Sequence, residues 1–284
     1  MVRLQAGALV CEIEPRLGGC VAGLWLDGVA VLRSPPADQL VSARDAGSYA
    51  MVPFSNRIAH ATLLWQGTQH PLVRNNGVEP HAIHGVGWQR PWQVLDSEDD
   101  YALLSYEHRP DSGWPFAFDC SQTLRLRGQS LEMTISLTNQ SAQEAPAGLG
   151  WHPFFVKRPG ARISFQAGGR WEMGEDKLPS HRRPSRGLDT DCASLDIDHC
   201  FDGWQGAVDL RDEILRTRIT SNLSRLVVFT QPAHESIAIE PVSHVNNAMN
   251  QVQAGADAGD LGLLVLQPGE TVSARMAVEV ERAR

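Results

Sequence analysis

Between residues 116 and 138 apolar and polar side chains alternate with few interruptions. Leu131, Met133, Ile135 and Leu137 take turns with Glu132, Thr134, Ser136 and Thr138. Before them Phe116, Phe118 and Cys120 alternate with small or polar residues, and Leu124 and Leu126 alternate with Arg125 and Arg127. A period of two belongs to an extended chain with one buried and one wet face. Gly128-Gln129 splits the two runs, so they are expected to pair as antiparallel neighbours. The pattern returns at 271–281, where Val272, Ala274, Met276, Val278 and Val280 share one side. No stretch shows a helical apolar stripe. A chain of 284 residues built this way is expected to be all-β, a large antiparallel two-layer β-sandwich, with residues 1–284 as a single domain.

Turn chemistry supports that expectation. Asp27-Gly28 separates the apolar runs 20–26 and 29–32, and Gln66-Gly67 follows Leu63-Leu64-Trp65. Both read as hairpin turns. Further strands are expected at 214–220, 225–230, 236–240 and 261–266. Residues 34–49, 74–91, 168–204 and 242–260 read as polar loops, the third closing on Asp196-Ile197-Asp198-His199-Cys200-Phe201.

Charge and composition exclude several classes of partner. The net charge is 25 − 33 = −8, and no basic run offers the footprint of a nucleic-acid binder. No apolar run is long enough to span a bilayer, and the N-terminus has no signal-peptide core. The five cysteines (Cys11, Cys20, Cys120, Cys192, Cys200) form no CxxC pair and read as reduced thiols in a cytoplasmic protein.

Two segments carry the candidate chemistry. In Gly148-Leu149-Gly150-Trp151-His152-Pro153, alternation puts both glycines and His152 on one face, with Leu149 and Trp151 on the other. The glycine face is expected to leave room for a ligand. Ser236-Ile237-Ala238-Ile239-Glu240-Pro241 repeats the design, with Glu240 at the tip of an apolar strand. Acidic residues are rarely buried without a partner, which makes Glu240 the stronger signal. Arg57, beside Asn56, offers a fixed fork of donors suited to sugar hydroxyls. His81 and His84 have HxxH spacing, but Pro80 and Gly85 flank them and no helical pattern supports a metal site. Of the eight tryptophans, most belong to the core and one or two are available to stack on a ligand.

The ordered set Val52-Pro53-Phe54-Ser55-Asn56-Arg57-Ile58, Ile83-His84-Gly85, Gly150-Trp151-His152-Pro153-Phe154-Phe155, Asp198-His199-Cys200-Phe201, Ile239-Glu240-Pro241 and Leu266-Gln267-Pro268-Gly269-Glu270 resembles the aldose 1-epimerase (galactose mutarotase) family. The resemblance runs from about residue 50 to the C-terminus. It implies the galactose mutarotase-like supersandwich and interconversion of sugar anomers without cofactor or metal. It also implies His152 as general acid, Glu240 as general base, and Asn56, Arg57, His84 and Asp198 as substrate-binding residues. Val86 after Gly85, Pro153-Phe154-Phe155 after the histidine, and Pro241-Val242 after the glutamate match a divergent bacterial branch.

Those residue types suit the chemistry. Anomerisation removes a proton from the C1 hydroxyl and adds one to the ring oxygen; the ring opens, rotates about C1–C2 and closes. A carboxylate and an imidazolium, expected on opposite sides of the ring, perform both transfers. The expected partner is a small free aldose. Three other readings stay open: a hexose-6-phosphate epimerase using Arg74, Arg90, Arg182 or Arg183, a non-catalytic sugar-binding sandwich, and a metal enzyme using His81 and His84.

Overall fold

In the computed structural model, which describes residues 1–283, the alternating runs pair as their patterns require. Phe118–Arg127 lies antiparallel to Ser130–Asn139 across the Gly128-Gln129 turn, and Thr271–Arg282 flanks the latter. They form the centre of a nine-stranded sheet running in the order Gln93–Ser97, Tyr101–His108, Phe118–Arg127, Ser130–Asn139, Thr271–Arg282, Leu215–Ser221, Ala207–Arg211, Arg162–Phe165, Leu188–Asp191. Its inward residues Leu131, Met133, Ile135 and Leu137 are at most 2% exposed. Outward partners meet across strands instead, as in the hydroxyl contacts Ser136–Ser273 (2.7 Å) and Thr138–Thr271 (2.8 Å).

A second sheet, of eight strands, packs on this one. Its order is Pro179–Pro184, Gly169–Met173, Ile197–Asp202, Arg225–Thr230, Ser236–Val242, Gly150–Trp151, Ala50–Met51, with Phe154–Val156 also joined to Ser236–Val242. Alternation assigns its faces. Phe201, Leu226, Val228, Ile237 and Ile239 join the main core with the inward residues of the nine-stranded sheet. Cys200, Val227 and Val242 point the other way, into a second apolar cluster with Tyr49, Val245, Ala248 and Leu261. The central strands of this sheet are therefore covered on both faces, one by the first sheet and one by loops and short helices.

The expected strands at 214–220, 225–230 and 236–240 and the two hairpins are present. Asp27-Gly28 and Gln66-Gly67 have positive φ at both turn residues, as the tight hairpin turn requires. Other loop expectations are corrected. Residues 168–204 contain four strands, Gly169–Met173, Pro179–Pro184, Leu188–Asp191 and Ile197–Asp202. The region 242–260 carries two short helices, Ala248–Gln253 and Ala258–Leu261, and within 74–91 Ala82–Ile83 is a strand. Leu264–Leu266 pairs only with Ala145–Ala147, outside both main sheets. All five cysteines are free and buried. No helix among the described residues is long and apolar enough to cross a membrane.

Candidate active site

Glu240 comes from Ser236–Val242, an interior strand of the eight-stranded sheet, as register partner of Val227 on the face away from the main core. It is 2% exposed. His152 follows the neighbouring strand Gly150–Trp151, held by its backbone N–H donating to Tyr49 O at 2.9 Å. The two side chains meet, with His152 Nε2 3.2 Å from Glu240 Oε1. Glu240 Oε2 and His152 Nδ1 are buried without any hydrogen-bond partner among the described residues. The imidazole is fixed by rings: it stacks on Tyr49 at 4.9 Å, lies 4.3 Å from Phe154, and meets His84 edge-on at 5.1 Å.

Two expectations about this pair need correction. The glycine face leaves no ligand space: a Cβ at Gly148 would collide with the ring of His244, and one at Gly150 would crowd Pro241 O (2.8 Å) and Val242. Those glycines let the backbone and His244 pack closely. Nor do the acid and base lie on opposite sides of a ring-sized gap, because they touch.

His84 and Asn56 form a reciprocal clasp. His84 N donates to Asn56 O at 2.8 Å, and Asn56 N donates to His84 Nδ1 at 3.0 Å. With Nδ1 accepting, the remaining proton of the neutral ring sits on Nε2, making it a donor. Both residues have positive φ, a cost kept at functional turns. Gly85 next to them is required, since any Cβ there would strike the Val52 carbonyl. Arg57 is pinned by Glu79, which accepts from Nε at 2.9 Å and lies 2.8 Å from Nη2, while Nη1 donates to Asn56 Oδ1 at 3.1 Å. The second hydrogens of its terminal nitrogens stay available. Asp198 Oδ2 stands 4.0 Å from Arg57 Nη1 with its side chain one-third exposed. The sheet and the loop clasp thus bring all six expected residues into one cluster.

Burial dominates the electrostatics. It lowers His152 from 6.5 to about 3, helped by the positive charges of Arg33 and Arg44. Burial raises Glu240 well above the usual carboxylate range, and Asp198 adds to this while Arg57 opposes it. His84 is held neutral by burial, then by His152 and Arg57. The direction common to the contacting pair is against separated charge, so Glu240 and His152 together hold one proton, resting on the carboxyl side.

Sequence reasoning missed Tyr49 and Glu79. Both lie in segments read as loops, and neither has a periodic or motif signal. His81, the other half of the HxxH pair, points elsewhere: Nδ1 accepts from His60 N at 3.0 Å and Nε2 contacts Asp176 O at 2.9 Å. Among the described residues no group of three or more histidine, cysteine or acidic side chains is placed to hold a metal ion.

The chain as a whole has counterparts among known proteins. The sequence model described as Aldose 1-epimerase matches residues 1–279. The uncharacterized protein YphB of Escherichia coli K12 is 30% identical over 295 residues, covering 98% of both chains. A crystal structure from Escherichia coli K12, provisionally described as an aldose 1-epimerase, superposes with TM-score 0.88 at 29% identity, covering 99% of this chain and 98% of that one. A galactose mutarotase-like protein from Clostridium acetobutylicum shares the fold, with TM-score 0.85, 21% identity and coverage of 99% and 95%. The chain belongs to the aldose 1-epimerase family.

Proposed function

We propose that this protein interconverts the α and β anomers of a free aldose by general acid/base ring opening and closure. The observation that carries the reading is the buried His152–Glu240 contact at 3.2 Å, whose outer atoms have no other partner. The C1 hydroxyl and the ring oxygen are both bonded to C1, so one edge of the sugar presents both proton-transfer sites. Acid and base side by side suit that edge better than groups facing each other across the ring.

The two groups need one proton between them. On sugar binding the proton passes from Glu240 to His152, leaving a carboxylate beside an imidazolium. Glu240 then takes the C1 hydroxyl proton while His152 gives its proton to the ring oxygen, and the C1–O5 bond breaks to give the aldehyde. After rotation about C1–C2 the transfers run backwards on the other face. Each transfer is worth on the order of 10²–10⁴ in rate. His84 Nε2, the free hydrogens of Arg57, Asn56 and Asp198 hold the sugar hydroxyls. No cofactor enters these steps.

The test is anomer exchange followed by polarimetry or NMR across free aldoses and their 6-phosphates. Acceleration of free sugars, lost in Glu240→Gln, supports the proposal. A large preference for 6-phosphates moves the function to a sugar-phosphate epimerase. A folded protein inert on every sugar leaves a binding module.

A further inference from the structure

A cavity of about 480 Å³ opens on the same face of the eight-stranded sheet. Asp198, in the catalytic cluster, and Asp202, in the cavity wall, lie on one strand four residues apart, roughly 13 Å at 3.3 Å per residue. They are separated by the segment 243–262, whose Val245, Ala248 and Leu261 cover Cys200 and Val227. Asn246 of this segment also reaches Met173 Sδ at 3.8 Å. The cavity is therefore a chamber apart from the proposed reacting site.

Its walls are built. Arg182 donates to both Asp202 oxygens, from Nε at 2.6 Å and from Nη2 at 2.7 Å, and Trp171 Nε1 donates to Asp202 Oδ2 at 2.8 Å. This arrangement requires glycine at 169, where a Cβ would collide with the Arg182 guanidinium. Arg225 is 9% exposed; its Nη2 donates to Gly259 O and Asp260 O at 2.8 Å, its Nη1 to Ser224 Oγ at 2.8 Å and Ser243 O at 3.3 Å, and its Nε is buried without a partner. The exposed Asp260 carboxylate makes no ion pair among the described residues. The wall thus carries two guanidiniums and two carboxylates, no net charge, spare donors and spare acceptors, and a partly exposed indole.

We infer that this cavity binds a neutral pyranoside as a non-catalytic second sugar site. An anion would lie against Asp202 and Asp260 and gain little. A polyol answers both signs of wall group, Arg182 Nη1 donating and Asp260 accepting, while Trp171 offers an apolar face to the ring. The inference does not depend on the assignment of Glu240 and His152.

The experiment titrates methyl β-D-glucopyranoside and methyl β-D-galactopyranoside, whose locked anomeric centres cannot turn over, by saturation-transfer NMR to roughly 50 mM. Saturable binding is expected, and Arg182→Ala and Trp171→Phe each weaken it about tenfold. Anomer exchange of free sugar is unchanged by either. Asp260→Asn, at an exposed position that folding tolerates, weakens binding in the same direction. The inference is overturned if no glycoside binds, if the folded variants bind as the parent does, or if inorganic phosphate shows the Arg182-dependent binding instead.

Discussion

The two main sheets solve the same folding problem in different ways. The nine-stranded sheet has one wet face and one dry face, with strands of ten to twelve residues at its centre. Around His152 and Glu240 the eight-stranded sheet is covered on both faces, and its strands there are as short as two residues. A face that only has to be wet can be left to solvent and a strict alternation. A covered face without a regular partner must be filled by loops, and loops can carry polar groups to places where water does not reach. Glu240 and His152 occupy such a place. The first sheet supplies stability, and the second spends part of it to hold two ionisable groups out of water.

The sharpest way to break this comparison is Glu240→Gln. Turnover should fall by about 10²–10⁴, while stability at neutral pH rises by about 1–3 kcal/mol because a costly buried acid is gone. Activity assays paired with urea denaturation measure both effects; a variant that is inactive and less stable would remove the trade-off. The converse substitution, Ile135→Ala in the nine-stranded sheet, should cost about 2–5 kcal/mol. Below its melting temperature it should leave the anomer exchange rate alone.

The buried histidines give the covered sheet its own pH signature. His244 is lowered to about 4 and His84 well below 6.5, each chiefly by burial. Below pH 6.5 the unfolded chain binds protons that these native rings refuse, so stability falls as pH drops from 6.5 towards 4, by up to ~1.4 kcal/mol per pH unit for each ring. Glu240 has the opposite sign: its native carboxyl keeps a proton that the unfolded chain releases above about 4.5, so its contribution is lost as pH rises. Denaturation curves between pH 4 and 8 should therefore show a maximum in the parent. Glu240→Gln should rise more steeply with pH.

Glu79→Gln tests the clasp around Arg57. KM should rise about tenfold with kcat nearly unchanged, because the guanidinium loses its anchor rather than its charge. An equal fall in kcat would place Arg57 in the chemical step. The smallest effect belongs to the wet face: Thr138→Val should change stability by no more than about 0.5 kcal/mol.

The same contrast explains what could be read beforehand. Ser130–Asn139 and Thr271–Arg282 were legible because one face of each meets water, which writes the period into the residue types. Pro179–Pro184 was not, since it is an edge strand exposed almost throughout and has no dry side to mark. The helix Ala248–Gln253 has six residues, too few to show a helical period. Glu240 stood out as an acid at the end of an apolar run, and the family resemblance supplied its partner roles. Tyr49 and Glu79 act through tertiary contacts made by loops, where sequence neighbours say nothing about spatial ones. The glycines were read as leaving room for a ligand, but the space at Gly148 is taken by His244, ninety-six residues away and invisible to any local pattern.

The five buried cysteines make the molecule unusually open to chemical labelling. The thiolate is the reactive form, and burial pushes Cys20 up to about 12, Cys192 up to about 11, and Cys11, Cys120 and Cys200 upward as well. A maleimide at mild pH finds almost no nucleophile in the folded chain. One cysteine introduced at Val41, 76% exposed on the loop that carries Tyr49, becomes the single attachment point for a fluorophore. No native thiol has to be removed first.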